Sequence, residues 1–374
     1  MTSSTSSSKV TAPPADNYPA VSRMMWLRRL ASTAAIFVLC FLCVEYVVRS
    51  RIMPASRSYR LMDTVYPAQA EELGQQKGVR VAIVGNSSTE RGVDAGVCQE
   101  RLQSLGIADV SARVFTFDGS DVPEWNYILN RYFWHAGIKP ELVILPFFFH
   151  GLAAEEPVDV GRLAYCFTTS DDWLELFSHE PSLNWRIEFL LSTNWASFAL
   201  DGRVQRRLFP WLIPNYQPFA RELHDAEISH RTRRRVAAPP VVLPSHRALQ
   251  RLLLHAQQEG ALLCFVAFPA RDVKYELASQ EIALIRQAGM EFIDMRSVDG
   301  LTPAMYEDYI HLLTPGQKLF SRRLAESVAD IVRKRAASPA TLSRRVPSPV
   351  VAVHSHRSPG GPTRPFKDEG RRGP

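Results

Sequence analysis

The sequence predicts an α/β fold: a doubly wound, mostly parallel five-stranded sheet with a helical insertion and an N-terminal transmembrane helix. Three observations predict it. Short continuous apolar runs recur at Val79–Val84, Arg113–Phe117, Leu142–Phe149, Ala261–Phe268 and Met290–Met295. That is the pattern of strands covered on both faces, since half-exposed strands alternate polar and apolar residues. Helical patterns fall among these runs at Gly96–Leu105, Trp125–Ala136 and Tyr275–Ala288, and Thr314–Arg335 closes the chain. Strands alternating with helices build parallel sheets, which bind ligands outside the carboxyl ends of the strands. Ahead of all this stands one apolar stretch, Leu30–Val48, close to the roughly 20 residues needed to cross a bilayer core.

In chain order, residues 1–27 form a tail, with only Ser and Thr at positions 2–8. Such composition buries too little apolar surface to offset the entropy of ordering, so the tail is expected to be disordered. Residues 28–50 are the transmembrane signal anchor. Arg28 and Arg29 precede the apolar stretch, Arg49 and Arg51 follow it, and Ser32, Thr33 and Glu45 interrupt it. A cleaved signal peptide is the rival reading; the apolar part is long for one, and no small-x-small cleavage site follows Val48. The flanking positive charges nearly balance, so the positive-inside rule gives no orientation.

Residues 59–335 make the α/β domain, and residues 151–245 are an insertion within it. The insertion carries Trp173, Trp185, Trp195 and Trp211, a helical stretch at Asn184–Phe198 and a proline-punctuated loop at Pro210–Pro218. It either shapes the cleft or only packs against the domain. The final helix has a start signal: Thr314 suits the N-cap, Pro315 the first turn and Gln317 the reciprocal cap. Leu319, Phe320, Leu324, Val328 and Ile331 form the stripe that docks on the sheet. Residues 336–374, rich in Pro, Ser, Arg and Gly, form a second disordered tail.

The formal net charge is +6, much of it from arginines in that second tail. Within the domain the densest basic cluster is Arg231, Arg233, Arg234 and Arg235. It reads as a solvated loop or as a contact for an anionic glycan or phospholipid head group. No nucleic-acid-binding motif accompanies the charge, which excludes that class of partner. Of five cysteines, Cys40 and Cys43 lie in the apolar segment. Cys98, Cys166 and Cys264 are widely spaced, with no metal-ligand pattern and no disulfide framework. No cofactor or metal site is expected.

Two distant segments carry chemistry. Gly85-Asn86-Ser87-Ser88 follows the first strand and places Ser87 on the turn where it stops. Asp308-Tyr309-Ile310-His311 puts a carboxylate three residues before an imidazole, just ahead of the final helix. A serine, a histidine and an aspartate are the minimal set for nucleophilic acyl transfer, recognised by role and not by sequence order. Each residue also has a plain reading, Ser87 as a turn residue or helix cap and the other two as a surface pair. Their joint placement at the rim of one sheet favours catalysis. Gly119, after the second strand, is either part of an ordinary turn or a donor to an oxyanion.

With these motifs in place the chain resembles the SGNH (GDSL-like) hydrolase superfamily, which implies an SGNH or flavodoxin-like three-layer architecture. Gly85-Asn86-Ser87-Ser88 is similar to that family's Gly-Asp-Ser block. Gly119 lies where the family has its oxyanion-hole glycine. Asp308-Tyr309-Ile310-His311-Leu312 with Thr314-Pro315-Gly316 looks like its Asp-x-x-His block. The resemblance implies catalytic Ser87, Asp308 and His311, with backbone N–H groups of Ser87 and Gly119 holding the oxyanion. Asn86 replaces the family's aspartate, and Pro146-Phe147-Phe148-Phe149-His150 replaces its Gly-x-Asn-Asp block. His150, or a side chain of the insertion, would then supply the third donor.

What the resemblance implies is an esterase or O-acetyltransferase working on exported or cell-surface polysaccharide, with its domain outside the cytoplasm. A polytopic membrane acyltransferase is the implied partner. A catalytically silent glycan-binding or scaffold protein of the same fold is the alternative. A thioesterase or lipase facing the cytoplasm is a third reading.

Overall fold

A computed structural model describes residues 23–149, 151–154, 159–179, 182–200, 213–216, 218, 246–272 and 274–337. Both expected tails beyond these bounds, His150, Trp211 and the basic cluster at 231–235 lie outside the described residues.

Five strands form one sheet: β1 (Val79–Gly85), β2 (Val110–Thr116), β3 (Leu142–Phe147), β4 (Leu263–Ala267) and β5 (Glu291–Asp294). Their order is β2-β1-β3-β4-β5, and every neighbouring pair is parallel. The register pairs Val79 with Val110 and Gly85 with Thr116, and Val143 with Leu263 across the other side. Val81, Ala82, Ile83 and Val84 are all buried, as are the residues of β3 and β4. Consecutive burial means both faces are covered, and each large apolar side chain so buried contributes about 1.5–3 kcal/mol.

The helices that cover the sheet follow from its crossovers. α1 (Arg23–Val47) lies ahead of the sheet and α2 (Tyr66–Gln75) leads into it. α3 (Ser87–Gly92) and α4 (Ala95–Ser104) join β1 to β2, and α5 (Val122–Leu129) joins β2 to β3. Right-handed crossovers running in opposite directions along a sheet put their helices on opposite faces. The insertion contains α6 (Trp173–His179), α7 (Leu183–Asn194) and α8 (Ala196–Ala199). α9 (Arg247–Gln258) then packs on α5, while α10 (Ser279–Gln287) precedes β5. The closing helix α11 (Thr314–Ala337) packs on α4.

Several expected details differ. The pattern at Tyr275–Ala288 becomes helical only at Ser279, because the Tyr275 hydroxyl donates to the Phe268 carbonyl at 2.8 Å and holds its segment against the sheet. The pattern at Asn184–Phe198 breaks at Trp195, which is extended (φ −127°) between α7 and α8. Gln317 does not cap its own helix. Its amide donates to the carbonyls of Glu90 and Val93 at 3.1 and 3.3 Å, joining α11 to the end of α3. Thr314 is accordingly the first helical residue, and Leu313 accepts the Gln317 N–H at 2.9 Å.

α1 is almost wholly exposed, and its winding continues through a π-turn at Val48–Ile52 to Ala55. By length and composition the run Met24–Ala55 is apolar enough to cross a membrane. The chain leaves β1 toward β2 on one side and later adds β3, β4 and β5 on the other. β1 is therefore the topological switch point, where connections diverge and a crevice opens at the carboxyl ends.

Candidate active site

The crevice is built first by how β1 ends. Gly85 has no side chain because a Cβ there would lie 2.0 Å from the Thr89 hydroxyl oxygen. Asn86 follows in extended conformation and caps α3: its Oδ1 accepts the Ser88 N–H at 3.1 Å and the Ser88 hydroxyl at 2.7 Å. An N-cap of this kind satisfies donors that a first helical turn leaves orphaned. Ser87 is thereby fixed as the first residue of α3, on the sharp bend above the strand.

The second component comes from the other end of the chain. Asp308 Oδ1 accepts the N–H groups of Ile310 and His311 at 2.9 and 2.8 Å, an Asx turn that sets the loop. The bridge between Tyr306 and Leu312 closes the loop at its base, and Arg271 donates its N–H to the Tyr309 carbonyl at 2.8 Å. Ile310 is buried with Ala270 and Tyr275. The other carboxylate oxygen of Asp308 meets His311 Nδ1 at 2.6 Å, and His311 Nε2 lies 3.1 Å from Ser87 Oγ.

Partial desolvation of Asp308 pushes its acid strength down, but hydrogen bonds from the His311 ring, the His311 N–H and the Ile310 N–H outweigh it. The carboxyl is held at about 2. An ionised carboxylate has no proton to give, so the ring proton sits on Nδ1 and the lone pair of Nε2 faces the serine.

The third component is the turn after β2. Phe117 N–H donates to the Gly85 carbonyl at 2.8 Å, tying the turn to the end of β1, and Ser120 N–H donates to the Phe117 carbonyl at 2.9 Å. Gly119 has φ +64°, the left-handed region that glycine adopts without steric cost. The Asn86 amide donates to the Ser120 carbonyl at 3.3 Å, and Trp125 Nε1 donates to Ser120 Oγ at 3.2 Å. Among the described residues neither the Ser87 N–H nor the Gly119 N–H has a hydrogen-bond partner.

The fourth position differs in character. β3 is followed by Phe148 and Phe149, and Phe149 has φ +49°. Its ring lies 5.0 Å from that of Tyr275 and 6.1 Å from that of Tyr309. An aromatic wall thus stands where the sequence lacks an asparagine, and His150 lies outside the described residues.

Two contributors, Arg162 and Glu124, escape a reading of the sequence, and Asn86 does more than hold its turn. Asn86 spans two loops as well as capping a helix, which an aspartate cannot do. Arg162, in the insertion, is buried and donates to the Asp118 carbonyl. Its guanidinium also lies 3.9 Å from the fully buried Glu124, whose Oε2 accepts the Asp121 N–H at 3.2 Å and completes a capping box at the start of α5. The box had a local signal in Asp121-Val122-Pro123-Glu124; Arg162 had none. A small open pocket lies behind this turn, walled by Arg57, Leu61, Glu90, Thr116, Asp118 and Arg162. Ser87, Asp308 and His311 stand outside it. Among the described residues no group of three or more His, Cys, Asp or Glu is placed to hold a metal ion.

No family model matches the sequence, and no curated protein matches it. Among solved structures the chain is similar to an acetyl xylan esterase, AlAXEase, at 12% identity and TM-score 0.31, covering 66% of this chain and 99% of that one. It is similar to LAE5, an alpha/beta hydrolase enzyme from the metagenome of Lake Arreo, Spain, at 12% identity and TM-score 0.34, covering 70% and 98%. It is also similar to TesA at 15% identity and TM-score 0.31, covering 68% and 98%. At such identities and scores, no reaction or substrate carries over from them.

Proposed function

We propose that this chain is a membrane-anchored serine acyl-ester hydrolase or O-acyltransferase that works through an acyl-serine. The observation that carries the proposal is the continuous path from Asp308 through His311 to Ser87, with hydrogen bonds of 2.6 and 3.1 Å. Ser87 Oγ attacks the ester carbonyl carbon while its proton passes to His311 Nε2. The new C–O bond pushes the carbonyl electron pair onto oxygen, where the N–H groups of Ser87 and Gly119 receive it. Collapse breaks the bond to the leaving alcohol, which takes the proton back from His311. Water or a sugar hydroxyl then gives a proton to His311 and attacks acyl-Ser87; collapse breaks the acyl–Oγ bond, Ser87 takes the proton back from His311, and the acyl group leaves on the water or the sugar. Asp308 keeps the ring in the required tautomer and offsets its transient positive charge.

The polysaccharide substrate, the extracytoplasmic placement and the polytopic acyltransferase partner rest on the resemblance to SGNH hydrolases; α1 supports the anchor. A fluorophosphonate probe tests the chemistry. Wild-type protein is expected to label covalently, and Ser87→Ala to lose labelling while keeping its fold. The aromatic wall formed by Phe148 and Phe149 favours a second reading, a catalytically silent glycan-binding protein or acylation scaffold. Wild-type protein that folds but stays unlabelled would establish that reading. A reporter fused to the C-terminus tests the side of the membrane.

A further inference from the structure

One carboxylate interrupts the apolar N-terminal helix, and the structure shows what it does there. Glu45 is buried, although α1 around it is exposed. Its two oxygens accept the N–H groups of Ala196 and Ser197, both at 2.9 Å, so it acts as the N-terminal cap of α8. Arg49 donates to Glu45 at 2.5 Å and to the Asn194 carbonyl at 2.9 Å, where α7 ends. Val48, Ile52 and Met53 pack with Ala196, Ala199 and Leu200 in a small core of their own.

One turn further into the apolar segment, the Phe41 ring lies 4.7 Å from that of Trp195, edge to face, and 5.9 Å from that of Phe198. At 1.5 Å per residue, Phe41 is about 9 Å inside the end of α1. The corner between α7 and α8 therefore reaches down beside the membrane-spanning stretch.

The outer face of α7 has an unusual composition for a surface. Leu183, Ile187 and Leu190 are spaced by four and three residues, which places them on one stripe. They are 69%, 47% and 39% exposed, and Phe198 at the corner is 42% exposed. The opposite face already packs inward through Phe189, which is fully buried. So α7 is apolar on two sides, and among the described residues only one is covered.

We infer that α7 and α8 seat in the interfacial layer of the same bilayer that α1 crosses, with Leu183, Ile187, Leu190 and Phe198 against lipid. This rests on reading α1 as an anchor. The occupant is lipid because the stripe leads into contacts with a helix whose own exposed surface is apolar. Tryptophan is also the side chain favoured at the depth where Trp195 lies. An element held this way fixes the tilt of the catalytic domain over the membrane, which a single flexible anchor does not.

The test uses the full chain in phosphatidylcholine vesicles doped with nitroxide-labelled lipid. In a Cys40→Ser, Cys43→Ser background, where the remaining Cys98, Cys166 and Cys264 are buried away from the label, cysteines introduced one at a time as Ile187→Cys, Leu190→Cys, Phe37→Cys and Gln103→Cys are labelled with an environment-sensitive fluorophore. Phe37→Cys reports the anchor, and Gln103→Cys, on the exposed side of α4, reports water. Positions 187 and 190 are expected to emit at shorter wavelength than 103. Roughly half their emission should be quenched, as for groups about 5–10 Å into the head-group boundary. Water-like, unquenched emission at 187 and 190 with a quenched position 37 overturns the inference and leaves the anchor standing. Unquenched emission at all positions removes the anchor and the inference with it. Cross-linking of 187 to 187 without lipid quenching assigns the stripe to a second copy and also overturns it.

Discussion

Arg162 donates from its guanidinium to the carbonyl oxygen of Asp118, and the peptide that begins with that carbonyl ends in the N–H of Gly119. A trans peptide is planar, with C=O and N–H pointing opposite ways. A guanidinium on the carbonyl side therefore aims the Gly119 N–H away from itself. Arg162 thus acts on the proposed oxyanion donor without touching substrate. Arg162→Lys keeps a charge near Glu124 but loses the planar fork. It is expected to lower kcat about 10- to 100-fold with KM little changed, since small misplacements of a donor cost on that order. A purely structural role would lower the melting temperature and leave kcat unmoved.

Asp308→Asn separates orientation from folding. The amide oxygen can still accept the Ile310 and His311 N–H groups, so the loop should hold and the melting temperature change little. The amide nitrogen would donate to Nδ1 and move the ring proton to Nε2, facing Ser87. In a serine triad that change costs about 10⁴-fold in kcat. Steady-state kinetics with an activated acyl ester reads it directly.

The same carboxyl sets a pH expectation. Its folded value of about 2 lies below its ordinary value of 3.8. The stability it contributes is therefore complete above 3.8 and is lost as pH falls toward about 2. An acid limb in the rate profile well above pH 2 would not belong to Asp308.

Glu281 behaves in the opposite sense. Burial pushes it up to about 7 from 4.5, so the folded state holds its proton more tightly than the unfolded chain. Its contribution is complete below 4.5 and is lost as pH rises to about 7. Glu281→Gln is expected to raise the melting temperature at pH 8 and to have little effect at pH 4. An equal effect at both values would show that desolvation of the charged form is not the cause.

Placing an aspartate at position 86 should harm this chain. The Asn86 amide donates to the Ser120 carbonyl at 3.3 Å in a buried site, whereas a carboxylate would set one acceptor against another. Asn86→Asp is expected to cost about 1–3 kcal/mol, the usual penalty for a buried group left unsatisfied. Chemical denaturation measures it.

The strands were legible because full burial makes them continuous apolar runs that need no partner to be seen. The apolar run of β2 begins only at Arg113, three residues inside the strand, since its first half carries Ser111 and Arg113 reaches out to Glu72 at 2.7 Å. α9 is masked in the sequence although Ala248, Leu249, Leu252, Leu253 and Ala256 hold the helical spacing; it follows directly on the proline-rich stretch that ends the insertion. Ser87, Asp308 and His311 were legible because each sits on a local turn with its own signal. Arg162, the amide of Gln317 and the capping role of Glu45 were not, because each is defined by a partner far away in sequence.

Ser87 and His311 are 224 residues apart, and β3, β4 and β5 all lie between them in the chain. A nascent chain leaving the ribosome presents its serine long before any base exists to activate it. The proposed reactive centre is thus incomplete until the loop that carries His311 has been made and docked. A product truncated before residue 308 would be chemically inert however well its first half folded, so turnover doubles as a gauge of complete assembly.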